Sequence, residues 1–334
     1  MPLVKPAVVA HRGASAYLPE STLPAKALAV AQGADYVEHD IVMTRDNALL
    51  INHDLWLDEV SDVAEKFPGR ARADGHFYVI DFDLDEILSL GVSSRFRVED
   101  GVAVPAWPDR YPVWRGRFGF HTFAEELQFL AGLEHSTGRR VGIFTELKSP
   151  WFHEREGRDL VGAVYDVLAR YGYRTPQDGC RVMSFDGHAL QRIRDGVAAD
   201  AGVDVPLTQL IGHTIDHEVF EHRTSGEWAN VDVDWMSDPA QVGAIAEYAD
   251  GIGPDVAMLL QGGAADSGLH ASELAAAAHA AGMYVTPWTL RADALPPGAS
   301  SYAEVFDILS GEAKVDAVIT DFPDLAVECR SASA

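Results

Sequence analysis

Eight short β-branched runs, separated by helix-like stretches, constrain the fold of this chain more than any other feature. They are PAVVAHRG (6–13), ADYVEHDIV (34–42), VGIFTELK (141–148), CRVMSFD (180–186), VPLTQLIG (205–212), ADGIGPD (249–255), MYVTPWTL (283–290) and DAVITDF (316–322). Helix-like segments lie between them, at 23–31, 159–170, 240–249 and 271–281. The last two lead through Asp-Gly and Ala-Gly into the next run, as helix stops do. Strands alternating with helices in this number predict a TIM (β/α)8 barrel. No Gly-rich dinucleotide fingerprint follows the first strand. A barrel takes ~250 residues, so a chain of 334 residues has room for an addition.

The addition falls after the second strand. TRDNALLIN (44–52) reads as a hairpin turn at Asp46-Asn47 followed by a short returning strand. Residues 55–120 then run far past the length of an ordinary strand-to-helix loop. They are expected to form an inserted subdomain on the face where the βα-loops emerge, with a long mobile lid as the alternative. The barrel would comprise residues 1–54 and 121–334. The Ala-rich AAAAHAAG (275–282) is a helix by propensity.

Composition narrows the function classes. Lys and Arg total 26 against 51 Asp and Glu, a formal net charge of −25. Such a surface repels polyanions and anionic headgroups, so neither nucleic acid nor a membrane is expected as a partner. A small phosphorylated substrate requires cations gathered at one site. Two cysteines, Cys180 and Cys329, supply neither a disulfide framework nor a thiolate metal cluster, and idle thiols are expected over a single bridge. No apolar run reaches the ~18 residues of a membrane span, and the opening MPLVKPAVVAHRG lacks the features of a signal peptide. As encoded, the chain reads as soluble and cytoplasmic; a periplasmic or secreted protein with its export signal removed would read the same way.

The strand ends carry the chemistry. Side chains at the C-terminal ends of barrel strands converge on one mouth. The first run ends in His11-Arg12-Gly13. The second carries Glu38 and Asp40 two residues apart, on one face of the strand, and the third repeats the spacing with Glu146 and Lys148. A barrel interior favours Val, Ile or Leu, and unpaired buried charge is costly. A cation among the three carboxylates, with Lys148 beside them, satisfies that electrostatics. Oxygen ligands favour Mg²⁺, Ca²⁺ or Mn²⁺ over zinc or copper. His39 alternates outward and is expected to be a packed residue. His11 and His53, at the ends of the first strand and the returning hairpin strand, can reach the mouth as a general acid–base pair. Arg12 and Lys148 fit an oxyanion, phosphate above all. The other histidines, including His121, His135, His188, His213 and His279, read as surface or core residues.

These residues stand in a string, HRGASAYLPESTLPAKALAVAQGADYVEHDIVMTRDNALLINHD, that resembles the opening signature of the glycerophosphodiester phosphodiesterases. The segment LDEVSDVAEKFPGR…DGHFYVIDFDLDEILSLG is similar to the insertion of the bacterial, periplasmic-type members. TELKSP, SFD, WTL and ITDFPD are similar to the later strands, in order. The resemblance implies a β/α barrel that hydrolyses glycerophosphodiesters to sn-glycerol 3-phosphate and an alcohol with one divalent cation, often Ca²⁺ or Mg²⁺. It implies that His11 and His53 are the acid–base pair, that Glu38, Asp40 and Glu146 hold the metal, and that Arg12 and Lys148 contact phosphate. Glu20 matches the Glu of a Pro-Glu-Asn-Thr element and is carried over as a substrate-binding candidate. That element reads Pro19-Glu20-Ser21-Thr22 here, and Ser21 is expected to cap the following helix.

Phe185 and Trp288, at strand ends, are candidates to flank the glycerol as an apolar wall. Two routes are open: attack by the neighbouring glycerol hydroxyl to give a cyclic phosphate, or direct attack by water. A related barrel phospholipase acting on lysophospholipids or inositol phosphodiesters, and a barrel that binds phosphoesters without cleaving them, are the alternative functions.

Overall fold

The computed structural model describes residues 5–262 and 268–332; the first four residues of the N-terminal leader reading lie outside it. The strands of the main sheet are β1 (Ala7–Ala10), β2 (Tyr36–Met43), β6 (Gly142–Leu147), β7 (Cys180–Ser184), β8 (Leu207–Ile211), β11 (Gly251–Pro254), β14 (Tyr284–Val285) and β15 (Ala317–Thr320). Neighbours run parallel in the order β14-β11-β8-β7-β6-β2-β1-β15. Every one falls in an expected run. The ring is drawn together where Leu290 N–H donates to Ile319 O at 2.9 Å and Ile319 N–H to Pro287 O at 3.0 Å. β14 spans only two residues, although Thr286 N–H and Trp288 N–H still reach Ile252 O and Pro254 O at 2.9 and 3.0 Å; Pro254, which has no N–H, cannot return the bond.

Inside the barrel Val9, Phe144, Met183, Leu210 and Ile319 fill the space below the mouth. A larger apolar layer packs the opposite strand faces against the helices, with Val8, Val37, Ile143, Val182 and Val318 contributing from the strands. His39 belongs to that outer layer: it lies between Glu126 Oε1 and Thr145 Oγ1, each 2.9 Å away, as alternation requires. Glu126 also meets Lys26 Nζ at 3.3 Å and His121 Nε2 at 2.8 Å, so a buried polar knot braces β2 from behind.

The turn at Asp46-Asn47 forms as expected, with Asn47 in the left-handed region and β3 (Leu49–Ile51) antiparallel to β2. After it, residues of the 55–120 stretch build their own small core. Leu57, Val63, Phe77, Phe82, Ile87 and Leu90 pack on Val42 and Leu50 of the hairpin. A two-stranded ribbon, β4 (Phe96–Glu99) with β5 (Val102–Pro105), projects from it. Two further ribbons, β9 (Phe220–His222) with β10 (Trp228–Asn230) and β12 (Leu260–Gly262) with β13 (Leu269–Ala271), follow β8 and β11.

Three expectations need correction. Residues 240–249 form 3-10 turns over Val242–Glu247 in place of an α-helix; they bury Val242 and Ile245, an i, i+3 pair that suits three residues per turn. The helix expected over 271–281 is shorter, Leu274–Ala280, because Leu269–Ala271 is spent on β13. The helix Leu23–Gln32 is capped by Thr22, whose hydroxyl accepts from Ala25 N, and not by Ser21. Ser21 has φ +56, a conformation that asparagine tolerates better than serine. Cys180 and Cys329 form no disulfide, and among the described residues no helix is long and apolar enough to cross a membrane.

The turn that ends β1 leaves the mouth little freedom. Arg12 and Gly13 have φ +56 and +87, and a Cβ on Gly13 would lie 2.7 Å from the carbonyl carbon of Ala25. Left-handed geometry alone costs a residue with a Cβ about 1–2 kcal/mol, and the clash adds to it. Gly13→Ala is therefore expected to lower the thermal midpoint by several degrees and Ser21→Asn to raise it slightly. Differential scanning calorimetry of the two variants checks both signs.

Candidate active site

β2 and β6 lie in a register that makes Asp40 and Glu146 direct partners, with Glu38 two residues earlier on the same face. One carboxylate oxygen from each of Glu38, Asp40 and Glu146 lies within 4.8 Å of the others, and all three residues are buried. Glu38 Oε2 accepts the Arg12 N–H at 2.7 Å, while Glu38 Oε1 and both Asp40 oxygens are buried without a hydrogen bond. Burial and the closeness of Asp40 push Glu38 well up. Glu146 is pushed up to about 8 by burial, with Asp40 and Glu218 adding to it against the pull of Lys148. Burial would raise Asp40 too, but His53, Arg12 and Lys148 outweigh it and hold that carboxyl at about 2. Three hard oxygen donors, two of them pushed to keep a proton and several of their oxygens without a hydrogen bond, fit a divalent cation that would take the place of those protons.

Cations gather on the other side. Lys148, one residue past β6, stands 3.0 Å from Glu146 Oε1 and 3.7 Å from Glu218 Oε2. Arg12 reaches Glu20 Oε1 at 2.8 Å and lies 3.4 Å from Asp40 Oδ2. Glu20 is not in the cavity wall; it is clasped between Arg12 and Arg95. Burial and the charge of Arg12 hold His11 at about 4, and burial with Arg12 and Lys148 also lowers His53. Both imidazoles are thereby pushed toward the neutral form.

Each imidazole is oriented by a carboxylate. His11 Nδ1 is 2.6 Å from Asp321 Oδ1, and His53 Nδ1 is 2.6 Å from Asp54 Oδ1. A carboxylate at Nδ1 selects the tautomer with its proton there and leaves the Nε2 lone pair available. Burial would raise both carboxyls, but each is held well below the usual range, Asp54 by Arg95 and His53 and Asp321 by His11, Arg291 and Arg110.

A mouth cavity of about 80 Å³ brings together His11, Arg12, Glu38, His53, Glu146, Lys148, Phe185 and Trp288. Phe185 and Trp288 meet edge to face at 5.4 Å, and the Trp288 N–H donates to Gly253 O at 2.7 Å. Sequence reasoning missed Asp54, Asp321, Arg95, Arg110, Glu218 and Arg291. His53-Asp54 and the Thr-Asp that ends the last strand were signals for the two aspartates. Arg95, Arg110 and Glu218 carried none, since they reach the site from long connections; Arg291 directly follows the run that ends at Leu290, a strand-end position.

Residues 11–325 match the glycerophosphoryl diester phosphodiesterase family. The chain is 42% identical to the glycerophosphodiester phosphodiesterase of Haemophilus influenzae over 96% of its length and 88% of that protein's. It is 40% identical to that of Treponema pallidum, over 96% and 90% of the two chains. Among solved structures, a putative glycerophosphoryl diester phosphodiesterase from Silicibacter pomeroyi has a TM-score of 0.69 at 22% identity, covering 100% of this chain and 95% of that one. An Oleispira antarctica phosphodiesterase in complex with the product sn-glycerol-3-phosphate has a TM-score of 0.62 at 18% identity, with coverage of 98% and 97%. At these identities the structures bear on the fold.

A carboxyl whose folded pKa is raised binds its proton more tightly when folded, so the stability it lends is full below its unfolded pKa and is lost as pH rises through its folded one. For Glu146 that window runs from about 4.3 in the unfolded chain to about 8 in the folded one. Chelator-treated protein is expected to lose thermal midpoint from pH 5 to 8, and the gain on adding Ca²⁺ or Mg²⁺ to grow over the same range. Glu146→Gln flattens both trends. Melting curves with and without cation across that range measure this.

Proposed function

From the membership of this chain in the glycerophosphoryl diester phosphodiesterase family, to which it belongs by a match over nearly its whole length, we infer that its barrel mouth performs two-histidine hydrolysis of glycerophosphodiesters. The protein is a glycerophosphodiester phosphodiesterase: with water it converts its substrates to sn-glycerol 3-phosphate and an alcohol. The observation that carries the two-histidine reading is the pair of carboxylate-oriented imidazoles, His11 and His53, flanking a cluster of three buried carboxylates.

Glu38, Asp40 and Glu146 would hold one divalent cation, Ca²⁺ or Mg²⁺ with Mn²⁺ a further fit, as hard oxygen donors do. When bound, it would offset the negative charge of a phosphodiester oxygen. Arg12 and Lys148 bind the remaining phosphate oxygens, and Glu20 fixes the Arg12 guanidinium in its orientation. One imidazole takes the proton of the attacking hydroxyl at Nε2; the other, once it has taken a proton from solvent at Nε2 beside the bound phosphodiester, gives that proton to the leaving alkoxide. Phe185 and Trp288 form the apolar wall against which the glycerol carbons rest. Residues 55–120 are best described as an inserted subdomain, since they carry a core of their own on the mouth side of the β2–β3 hairpin.

His11→Ala and His53→Ala are each expected to lower kcat by ~10²–10⁴ with little change in KM, the usual worth of a proton-transfer group. The assay follows sn-glycerol 3-phosphate released from glycerophosphocholine in the presence of cation. A His53→Ala enzyme turning over at the wild-type rate contradicts the mechanism.

A further inference from the structure

The two histidine–carboxylate pairs lie at different places around the mouth, one on the turn after β3 and the other on β1 and β15. They are nevertheless completed in the same way by the same segment of chain. Asp54 Oδ1 accepts from His53 Nδ1, and its Oδ2 accepts from Arg95 Nη1 at 2.7 Å. Asp321 Oδ1 accepts from His11 Nδ1, and its Oδ2 accepts from Arg110 Nη2 at 2.7 Å. Arg95 and Arg110 both belong to residues 55–120.

Neither arginine is a loose surface contact. Arg95 spans Glu20, with Nη2 2.8 Å from Oε1 and Nε 3.3 Å from Oε2, and its Nη1 also meets Glu59 Oε2 at 2.7 Å. Because Glu20 holds Arg12, one guanidinium joins the phosphate-binding arginine to the His53 carboxylate. Arg110 is anchored by two hydrogen bonds to Asp293, of 2.7 and 2.9 Å, and lies over the Trp107 ring at 4.2 Å. Asp321 Oδ2 has a second cation, Arg291 Nε, also at 2.7 Å. Asp54 has no such second arginine among the described residues.

We propose that Arg95 and Arg110 are positioning residues for the phosphodiesterase reaction, each fixing the carboxylate that fixes one of the two histidines. The proposal rests on the reading of His11 and His53 as the proton-transfer pair. A carboxylate held at one oxygen only can swing about its own axis and carry the imidazole with it; held at both, it cannot. Misplacing a proton-transfer group by about 1 Å costs on the order of 10²-fold in rate. Arginine is suited to the task because its planar fork serves Glu20 and Asp54 together, which the single ammonium of lysine cannot. The inserted segment thereby becomes part of the catalytic apparatus as well as a wall of the mouth.

The test measures kcat, KM and thermal midpoint on glycerophosphocholine at saturating cation. The variants are Arg95→Ala, Arg95→Lys, Arg110→Ala and Arg110→Lys, with Arg70→Ala as control. Arg70 lies in the same segment and pairs with Glu86 at 2.6 Å, without a link to either histidine. Arg95→Ala is expected to lose ~10–100-fold in kcat with KM changed little, and lysine to restore part of it. Arg110→Ala is expected to lose less, because Arg291 still holds Asp321. Arg70→Ala is expected to lower the midpoint and keep kcat. If Arg95→Ala does not fold, the Arg110 pair carries the same comparison. Wild-type turnover that His53→Ala abolishes upholds the underlying reading; unchanged kcat in the Arg95 and Arg110 variants then overturns this proposal alone. A wild type without turnover overturns both.

Discussion

Asp40 and Glu146 face each other across two adjacent parallel strands, and with Glu38 they place three buried carboxylates within 4.8 Å. Such a cluster repels itself and sits where a barrel would otherwise put aliphatic side chains. The surroundings are arranged to answer it. Arg12 turns its N–H to Glu38, Lys148 stands against Glu146, and Lys26 donates from behind to the Glu38 carbonyl oxygen. Even so, two carboxyls are pushed up and several oxygens lack partners, which is why the cluster fits a divalent cation. In a chain with a net charge of −25, Arg12 and Lys148 bring positive charge to the barrel mouth.

A second layer follows from the first. Imidazoles beside Arg12 and Lys148 are driven neutral, which suits one as a base and makes the other dependent on a well-placed partner to act as an acid. Asp54 and Asp321 supply that placement, and stay ionised because guanidinium groups face them. The barrel strands carry the carboxylates and cations of the mouth, while the loops between them hold those groups still. That division matches the general behaviour of β/α barrels, in which chemistry varies with the loops and the sheet stays constant.

The barrel was legible because strands buried on both faces read as compact β-branched runs. The Glu38/Asp40 and Glu146/Lys148 spacings were legible because charges two apart break that pattern where only function tolerates them. The 55–120 stretch was illegible for the opposite reason. Leu57, Val63, Phe77, Phe82, Ile87 and Leu90 recur with neither helical nor strand period, since they converge from separate turns on one side of a hairpin. Arg95 and Arg110 could not be told from Arg97, Arg115 and Arg117 around them; their significance comes from partners more than 40 residues away for Asp54 and over 200 for Asp321. Residues 240–249 misled because Val242 and Ile245, buried three apart, fit a tighter turn than the α-helix that their composition favours.

The central claim is that the Glu38, Asp40 and Glu146 cluster is a single cation site on which turnover depends. Equilibrium dialysis of chelator-stripped protein, with glycerophosphocholine hydrolysis measured at each level of occupancy, tests it most directly. The account predicts one ion per chain, activity rising in proportion to occupancy, and loss of both in Asp40→Asn. Full activity in protein from which the cation has been removed, or undiminished binding by Asp40→Asn, would contradict it.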